Sequence, residues 1–206
     1  QLGRMINVLN VFVPVIKKSS VEGYQSGLMV ESTGINDKDN CGYAGGYVGK
    51  LIGGQIWGES TAHCQVKKLR RVDGRSYVGG FVGSSRPGSV ATLNPTAGEG
   101  LLSQLLNKLL STPSDLIKVL NATVATIRYA DVESWDGWGF IVNGAYTTGE
   151  NNTSYAKTAG GFAGMLEGTV LGKKDTPDSG IKVMNIRSVI AGEYAGGCFG
   201  IADVAG

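Results

Sequence analysis

Short apolar runs bounded by glycines recur along the whole chain. The clearest is a hexapeptide in which a small or branched residue precedes two glycines, a mostly aromatic position, an apolar residue and a third glycine. It occurs four times, at residues 44–49, 78–83, 159–164 and 195–200. Glycine inside an apolar run is typical of a bend or of close contact between backbones. Each hexapeptide therefore predicts a short buried strand that is entered and left through tight bends.

Other runs rich in apolar and branched residues have the length of strands. In the run 64–73 the apolar residues Val66, Leu69 and Val72 recur at every third position, which is neither strand nor helix periodicity. Because Gly74 and the second hexapeptide follow at once, we interpret this run as a strand. The full set of strands predicted outside the hexapeptides is 15–24, 27–34, 53–58, 64–73, 122–129 and 139–142.

Leucine-rich segments predict a few helices among the strands. Leu101–Leu110 carries its leucines on one broad stripe, and residues 1–12 have helical spacing up to Pro14. A second short helix is predicted from Ser114 or Asp115 to Leu120, because these two residues favour a helix N-cap. Polar loops are predicted at 35–42, 84–100 and 143–157.

The same order of elements occurs twice. Gly27 and Gly139 are 112 residues apart, and Tyr77 and Tyr194 are 117 residues apart. We therefore divide the chain into a first repeat unit, 1–98, and a second, 99–206, with two hexapeptides in each. Repetition of this kind is typical of arrays whose units stack and share a core.

These patterns together predict a mainly β fold, a parallel β-solenoid (β-helix) of glycine-rich repeats with inserted short α-helices. The two hexapeptides of a unit lie 34 or 36 residues apart, and each interval holds about three strand candidates. This length suits one coil with three faces, in which the hexapeptides stack above one another. The aromatic residues Tyr47, Phe81, Phe162 and Phe199 should then face a common core.

Composition narrows the possible functions. The chain has 206 residues, of which 33 are glycine, without the G-X-Y period of collagen. A net charge of +2 gives no case for a nucleic-acid partner. No apolar run approaches the roughly 18 residues of a membrane span, so no membrane-spanning segment is expected. The chain begins with Gln1, and we expect it to be part of a longer protein.

The single histidine, His63, lies beside Cys64 and four residues after Glu59. A cysteine and a histidine can act as nucleophile and base, but neighbouring strand residues point to opposite faces. Cys64 and Cys198 also match the apolar positions of Ile181 and Phe81 at the offset of 117 residues. We therefore predict buried cysteines and no catalytic site. A disulfide between Cys41 and Cys64 stays open.

A polar loop contains a possible metal site. Asn36, Asp37, Asp39 and Asn40 resemble the start of a calcium loop. No acidic residue follows at the closing position, and the second unit has Glu150-Asn-Asn-Thr in the same place. We predict a turn here, and no metal or cofactor site.

Three further groups of residues bear on ligand binding. Tryptophans can stack on sugars or act as edge and core anchors, and basic residues can face solvent or an acidic glycan or wall polymer. A cluster of carboxylates is required for glycosidic hydrolysis, but the cluster present has no counterpart at matching spacing. The tryptophans are Trp57, Trp135 and Trp138, and the basic residues are Lys67, Lys68, Arg70 and Arg71. The carboxylates are Asp131, Glu133 and Asp136.

The hexapeptides with their flanking residues, Tyr43–Gly49, Tyr77–Gly83, Ala159–Gly164 and Tyr194–Gly200, resemble the GLUG-type repeats of large secreted bacterial surface proteins. The resemblance implies a β-helical stalk or adhesin segment that is exported and often attached to the cell wall.

Two function classes follow from these patterns. The preferred one is a non-catalytic repeat segment of an extracellular bacterial surface protein, acting as stalk, adhesin or filament body. The other is a carbohydrate-binding or polysaccharide-processing β-helix. Neither 2–12 nor 197–206 looks like a polar cap. We therefore expect the chain ends to meet neighbouring repeat units or identical subunits, and host or wall glycans are a further class of partner left open.

Overall fold

A computed structural model describes residues 14–34, 42–88, 124–148 and 152–203. The fold is mainly β, as predicted from the sequence. Within these ranges the helical content is one 3₁₀ turn, Pro177–Ser179. The predicted helices at 1–12, 101–110 and 114–120 lie outside the described residues, as does the loop 36–40.

The strands fall into four successive segments of chain, which we call rungs 1 to 4. Rung 1 contains β1 (Val15–Lys17), β2 (Ser20–Glu22), β3 (Leu28–Glu31), β4 (Ala44–Gly45) and β5 (Val48–Ile52). Rung 2 contains β6 (Gln55–Trp57), β7 (Cys64–Asp73), β8 (Tyr77–Gly79) and β9 (Val82–Arg86). Rung 3 contains β10 (Thr126–Arg128), β11 (Ala130–Ser134), β12 (Phe140–Asn143), the hairpin strands β13 (Ala145–Thr147) and β14 (Thr153–Tyr155), then β15 (Thr158–Gly160) and β16 (Ala163–Glu167). Rung 4 contains β17 (Val170–Leu171), β18 (Ile181–Met184), β19 (Ile186–Ile190), β20 (Tyr194–Gly196) and β21 (Phe199–Asp203).

Strands of the four rungs pair in four short parallel sheets, always in the order of the rungs. The first sheet runs β1-β6-β10-β17, the third β4-β8-β15-β20 and the fourth β5-β9-β16-β21. In the second sheet the long strand β7 pairs along one edge with β2 and β3 and along the other edge with β11 and β12. Strands β18 and β19 then pair with β11 and β12. Each rung therefore lies against the rung before it. The division into units 1–98 and 99–206 stays a prediction.

The hexapeptides lie directly above one another, as predicted. Gly45, Gly79, Gly160 and Gly196 are register partners in the third sheet. The prediction that each hexapeptide is a single strand is wrong. One strand ends at its first glycine and the next begins after its aromatic position, so the hexapeptide is a corner. This corner lies between the third and the fourth sheet. The described rungs therefore have strands in four sheets, whereas the sequence analysis predicts three faces.

The first two glycines of the hexapeptide each lie against a backbone carbonyl group, but the two carbonyl groups belong to different parts of the chain. A Cβ on the first glycine would lie less than 3.0 Å from the carbonyl oxygen three residues ahead, for instance Gly79 against Val82. A Cβ on the second glycine would lie equally close to the carbonyl oxygen of the second glycine in the next rung, as at Gly80 against Gly161. Only glycine leaves room for these carbonyl groups. The repeat thus encodes both its own bend and the spacing between rungs.

The period of three in β7 has a local cause. Lys68 has a positive φ of 55°, so the alternation of faces is interrupted there, and Cys64, Val66, Leu69 and Val72 are all buried. The equivalent bend in the other rungs is made by Gly27 (φ 82°), Gly139 (φ 86°) and Asn185 (φ 59°). Glycine and asparagine are the residues that adopt this conformation most readily.

Other predicted boundaries need smaller corrections. The predicted strand 15–24 is divided into β1 and β2 by Lys18, whose φ is 45°. The predicted loop 84–100 begins inside β9, and the predicted loop 143–157 contains the antiparallel pair β13-β14. The predicted strand 64–73 coincides with β7.

The core is filled by ladders of apolar side chains from successive rungs. Tyr47, Phe81 and Phe162 are stacked face to face, with ring centroids 4.5 and 4.8 Å apart and planes within 8° and 5° of parallel. Phe199 meets Phe162 edge to face at 6.4 Å. The prediction of a shared aromatic core is confirmed, since Phe81 and Phe162 belong to one buried apolar cluster and Tyr47 and Phe199 pack against it. Cys198 holds the aromatic position of the fourth hexapeptide, and Phe199 therefore approaches from the next position.

Candidate functional site

His63 and Cys64 lie in different surroundings. Cys64 is fully buried in the core, whereas the His63 side chain is 28% exposed and its Nδ1 lies 2.7 Å from Oδ2 of Asp131. The same oxygen accepts a hydrogen bond of 3.3 Å from Nε2 of Gln65. Sequence reasoning missed this His–Asp pair because its members are 68 residues apart. The signal for it is the register of β7 against β11, which aligns Gln65 with Asp131.

The three clustered carboxylates have separate surroundings. Asp131 is nearly buried and serves as an acceptor for His63 and Gln65. Glu133 is exposed on β11. A carboxylate oxygen of Asp136 accepts the backbone N–H of Trp138 at 3.0 Å. Asp131 and Asp136 therefore position neighbouring groups, and the described contacts do not join any two of these carboxylates.

The two described cysteines are free thiols, Cys64 buried and Cys198 half-buried. Burial raises the pKa of the Cys198 thiol. Cys41 lies outside the described residues, and Cys64, the partner considered for it, is a free thiol.

The raised pKa of Cys198 predicts slow alkylation at neutral pH. The thiolate is the reactive form, and a folded-state pKa above the ordinary value of about 8.5 leaves less thiolate at any pH below it. In a Cys41→Ala, Cys64→Ala background, we expect the midpoint of the iodoacetamide rate against pH to lie above that of a free cysteine peptide. In urea the two midpoints should coincide. A native midpoint at or below the peptide value would contradict the prediction.

No metal-binding cluster of three or more His, Cys, Asp or Glu residues is present in ranges 14–34, 42–88, 124–148 and 152–203. The calcium-like residues Asn36, Asp37, Asp39 and Asn40 fall outside these ranges. Among the same described residues, no helix has the length and apolar character needed to cross a membrane.

The basic residues of β7 do not form one uniform patch. Nζ of Lys68 lies 2.6 Å from Glu22, and the hydrogen bond between them lowers the pKa of the Glu22 carboxyl. Nε of Arg71 donates to Asp73 at 2.6 Å, and this bond raises the pKa of Arg71. The guanidinium of Arg70 instead lies over the ring of Trp135, 5.6 Å from its centroid.

The three tryptophans have different roles. Trp57 donates its indole N–H to Thr126 at 2.8 Å and stacks under the guanidinium of Arg128 at 4.0 Å, so it anchors rungs 2 and 3 to each other. Trp135 donates its indole N–H to the carbonyl of Gln25 at 2.6 Å. Trp138 is 78% exposed.

Trp135 and Trp138 line a cavity of about 280 Å³ together with Arg70, Arg71, Arg187 and Asp136. We call it the arginine–tryptophan groove. Each of the four rungs contributes to its lining, namely Met29 from rung 1, Arg70 from rung 2, Trp138 from rung 3 and Arg187 from rung 4. The groove therefore crosses all four described rungs. Its chemistry combines an exposed aromatic surface with guanidinium groups.

Two β-bulges place arginines in this groove. Leu28 and Met29 oppose Leu69 and Arg71, so Arg70 is the extra residue of β7. Phe140 and Ile141 oppose Ile186 and Ser188, so Arg187 is the extra residue of β19. A bulge bends its strand and changes the direction of the extra side chain. Sequence reasoning missed Arg187, although it follows Arg70 by 117 residues, the offset that separates Tyr77 from Tyr194.

Comparison with known proteins found no protein-family model, no curated protein and no solved structure that matches this chain.

Proposed function

We propose that the chain is a segment of a parallel β-solenoid and serves as a non-catalytic stalk, adhesin or filament-body segment of an extracellular bacterial surface protein. The order of strands supports the solenoid, because every rung contributes to the four sheets in the same sequence. The resemblance of the hexapeptides to GLUG-type repeats supports the extracellular setting. A continuous stack of backbone ladders suits a load-bearing segment, because each rung is held by hydrogen bonds along the stacking direction.

The observation that carries the proposal is the fourth hexapeptide. Gly46, Gly80 and Gly161 each face a carbonyl group of the following rung that excludes a Cβ. Gly197 occupies the same position, yet no described atom lies within 4 Å of the place its Cβ would take. A glycine there has the same purpose as the other three only if another rung follows. We therefore infer that rung 4 receives a further rung from a neighbouring repeat unit or an identical subunit.

Backbone hydrogen bonding points in the same direction. The N–H of Tyr47 donates to Phe81, that of Phe81 to Phe162, and that of Phe162 to Cys198, at 2.8–2.9 Å. At the aromatic position of the hexapeptide, each rung thus donates to the next. By this pattern the N–H of Cys198 points towards the position of a fifth rung. Open strand edges of this kind favour the addition of another strand.

Self-association over a concentration series tests this proposal. We expect the chain to form larger species as concentration rises, and Gly197→Val to suppress them. At a concentration where the wild type is monomeric, the variant should melt at the wild-type temperature. Gly180→Val is the matched control, because no described atom lies within 4 Å of its Cβ position either and it lies outside the hexapeptide. Sedimentation velocity measures the species present. A Gly197→Val variant that associates like the wild type would contradict docking of an identical subunit at this face.

A tandem chain tests the neighbouring-repeat form of the same proposal. When one copy of residues 1–206 directly follows another, shared interfaces should raise the melting temperature above that of the single copy. Gly197→Val in the first copy should remove this gain. If the tandem chain melts like the single copy, the proposal for a neighbouring repeat is wrong.

Carbohydrate binding is a second candidate function, favoured by the exposed ring of Trp138 beside three arginines. The processing of polysaccharides gains no such support, since Asp131 and Asp136 are occupied with His63 and Trp138.

A further inference from the structure

We propose that the arginine–tryptophan groove binds a carboxylated sugar residue of the uronic-acid type. The inference rests on the second candidate function, carbohydrate binding, and is independent of the proposed stacking role. It adds the sign of the ligand's charge and the residues that recognise it.

The exposed ring of Trp138 supplies a surface on which a sugar ring can lie. Trp138 is 78% exposed, whereas the aromatic rings of Phe81, Phe140 and Phe162 are fully buried. Its backbone N–H is held by Asp136, and Gly139 follows with a φ of 86°. The ring therefore projects from a fixed bend. Aromatic side chains combined with a few placed polar groups are typical of ligand sites.

The guanidinium groups supply the charge. Arg71 is paired with Asp73, but in the described part of the chain no carboxylate lies within ion-pair distance of Arg70 or Arg187. Both are bulge residues directed to the same groove. Asp136 is the one acidic residue of its lining, so the lining has an excess of positive charge. Guanidinium groups bind carboxylates through two parallel hydrogen bonds, which favours an anionic ligand over a neutral one.

The dimensions favour a saccharide longer than one ring. The groove has about 280 Å³, just below the usual range of about 300–1,000 Å³ for ligand sites. A second cavity of about 300 Å³ shares Arg71 with it and extends to Tyr146, whose ring lies 5.1 Å from the guanidinium of Arg75. The second cavity thus repeats the pairing of an aromatic ring with an arginine. Because Glu31 and Asp73 also line the second cavity and balance Arg71 and Arg75, we infer that it takes a neighbouring sugar ring of the same saccharide, while the carboxylate binds in the arginine–tryptophan groove.

The test is calorimetric titration of the whole chain with a trisaccharide of galacturonate and with its neutral galactose counterpart. We expect the acidic trisaccharide to bind more tightly. Arg187→Gln should weaken its binding by about tenfold and leave the neutral sugar unaffected, while Trp138→Ala should weaken both. Lys182→Gln and Tyr194→Ala are the matched controls, since each is exposed in rung 4 and lies outside the groove.

Four results would overturn the inference. Equal binding of the two trisaccharides would remove the anionic preference but leave carbohydrate binding in place. Binding of acetate as tight as that of the acidic trisaccharide would show that a carboxylate alone is recognised. Absence of saccharide binding would remove both the inference and the candidate function. Acidic binding that persists in Trp138→Ala would remove Trp138 from the site and with it the recognition proposed for the groove. None of these results bears on the association of rungs, which sedimentation measures separately.

Discussion

Gly161→Ala should strongly destabilise the chain, whereas Gly197→Ala should leave its stability unchanged. The two residues hold the same position in successive hexapeptides. A Cβ at position 161 would lie less than 3.0 Å from the carbonyl oxygen of Gly197 and also from a methyl group of Ile186. The carbonyl oxygens of the residues on either side, Gly196 and Cys198, accept the N–H groups of Gly161 and Phe162, so the Gly197 carbonyl cannot move aside without breaking these hydrogen bonds. A Cβ at position 197 meets no described atom within 4 Å.

The expected loss for Gly161→Ala is about 4 kcal/mol or more, the range reached when a substitution disrupts packing in a core. Urea denaturation followed by circular dichroism measures it, with Gly197→Ala as the matched control. A similar loss of stability in both variants would mean that the local backbone conformation, and not the close approach of the next rung, requires glycine at this position. A negligible loss in both would mean that the rungs do not approach each other as closely as described.

The hexapeptide shows how much of this fold the sequence allows one to predict. Its four copies predict stacking, and Gly45, Gly79, Gly160 and Gly196 do lie in one ladder. Its internal conformation was not predictable from the apolar pattern. The aromatic residue is buried because its ring turns into the core at a corner, and a buried corner has the same composition as a short buried strand.

The strand β7 illustrates a second limit. Its boundaries follow from apolar content and the glycine after it, but its period of three depends on the single left-handed residue Lys68. Lysine gives no sign of that conformation in the sequence. The aligned positions Gly27, Gly139 and Asn185 do carry such a sign, and an alignment of all four rungs would have revealed it.

The candidate groove was predictable only in part. Trp135, Trp138, Arg70 and Arg71 are recognisable as candidates by residue type. Arg187 is not, because a single arginine in an apolar run is ordinarily a solvated strand residue. What brings it to the groove is its place in the register of the stack, since it is the extra residue of the bulge opposite Phe140 and Ile141. Long-range register of this kind cannot be obtained from local patterns.

Phe81→Ala is the second substitution for which we expect a large effect. Phe81 is fully buried and lies between Tyr47 and Phe162, with ring centroids 4.5 and 4.8 Å away and planes nearly parallel to both. Removing the ring leaves a cavity inside the stack and breaks two aromatic contacts at once. Truncation of a buried phenylalanine costs about 3–5 kcal/mol, and each aromatic pair contributes about 0.5–1.5 kcal/mol beyond burial. The expected loss of stability for Phe81→Ala is therefore about 5 kcal/mol or more.

Phe199→Ala provides the comparison, because Phe199 is only partly buried and has one described aromatic partner, Phe162, met edge to face. Its truncation should cost clearly less than that of Phe81 in the isolated chain. The difference should shrink in the tandem chain, where a following rung would cover Phe199 and make its surroundings similar to those of Phe81. Urea denaturation of the two variants, each made in the single chain and in the first copy of the tandem chain, measures both differences. Equal losses for Phe81→Ala and Phe199→Ala in the single copy would contradict the central position of Phe81 in the stack, and a difference that stays constant in the tandem chain would contradict the covering of rung 4.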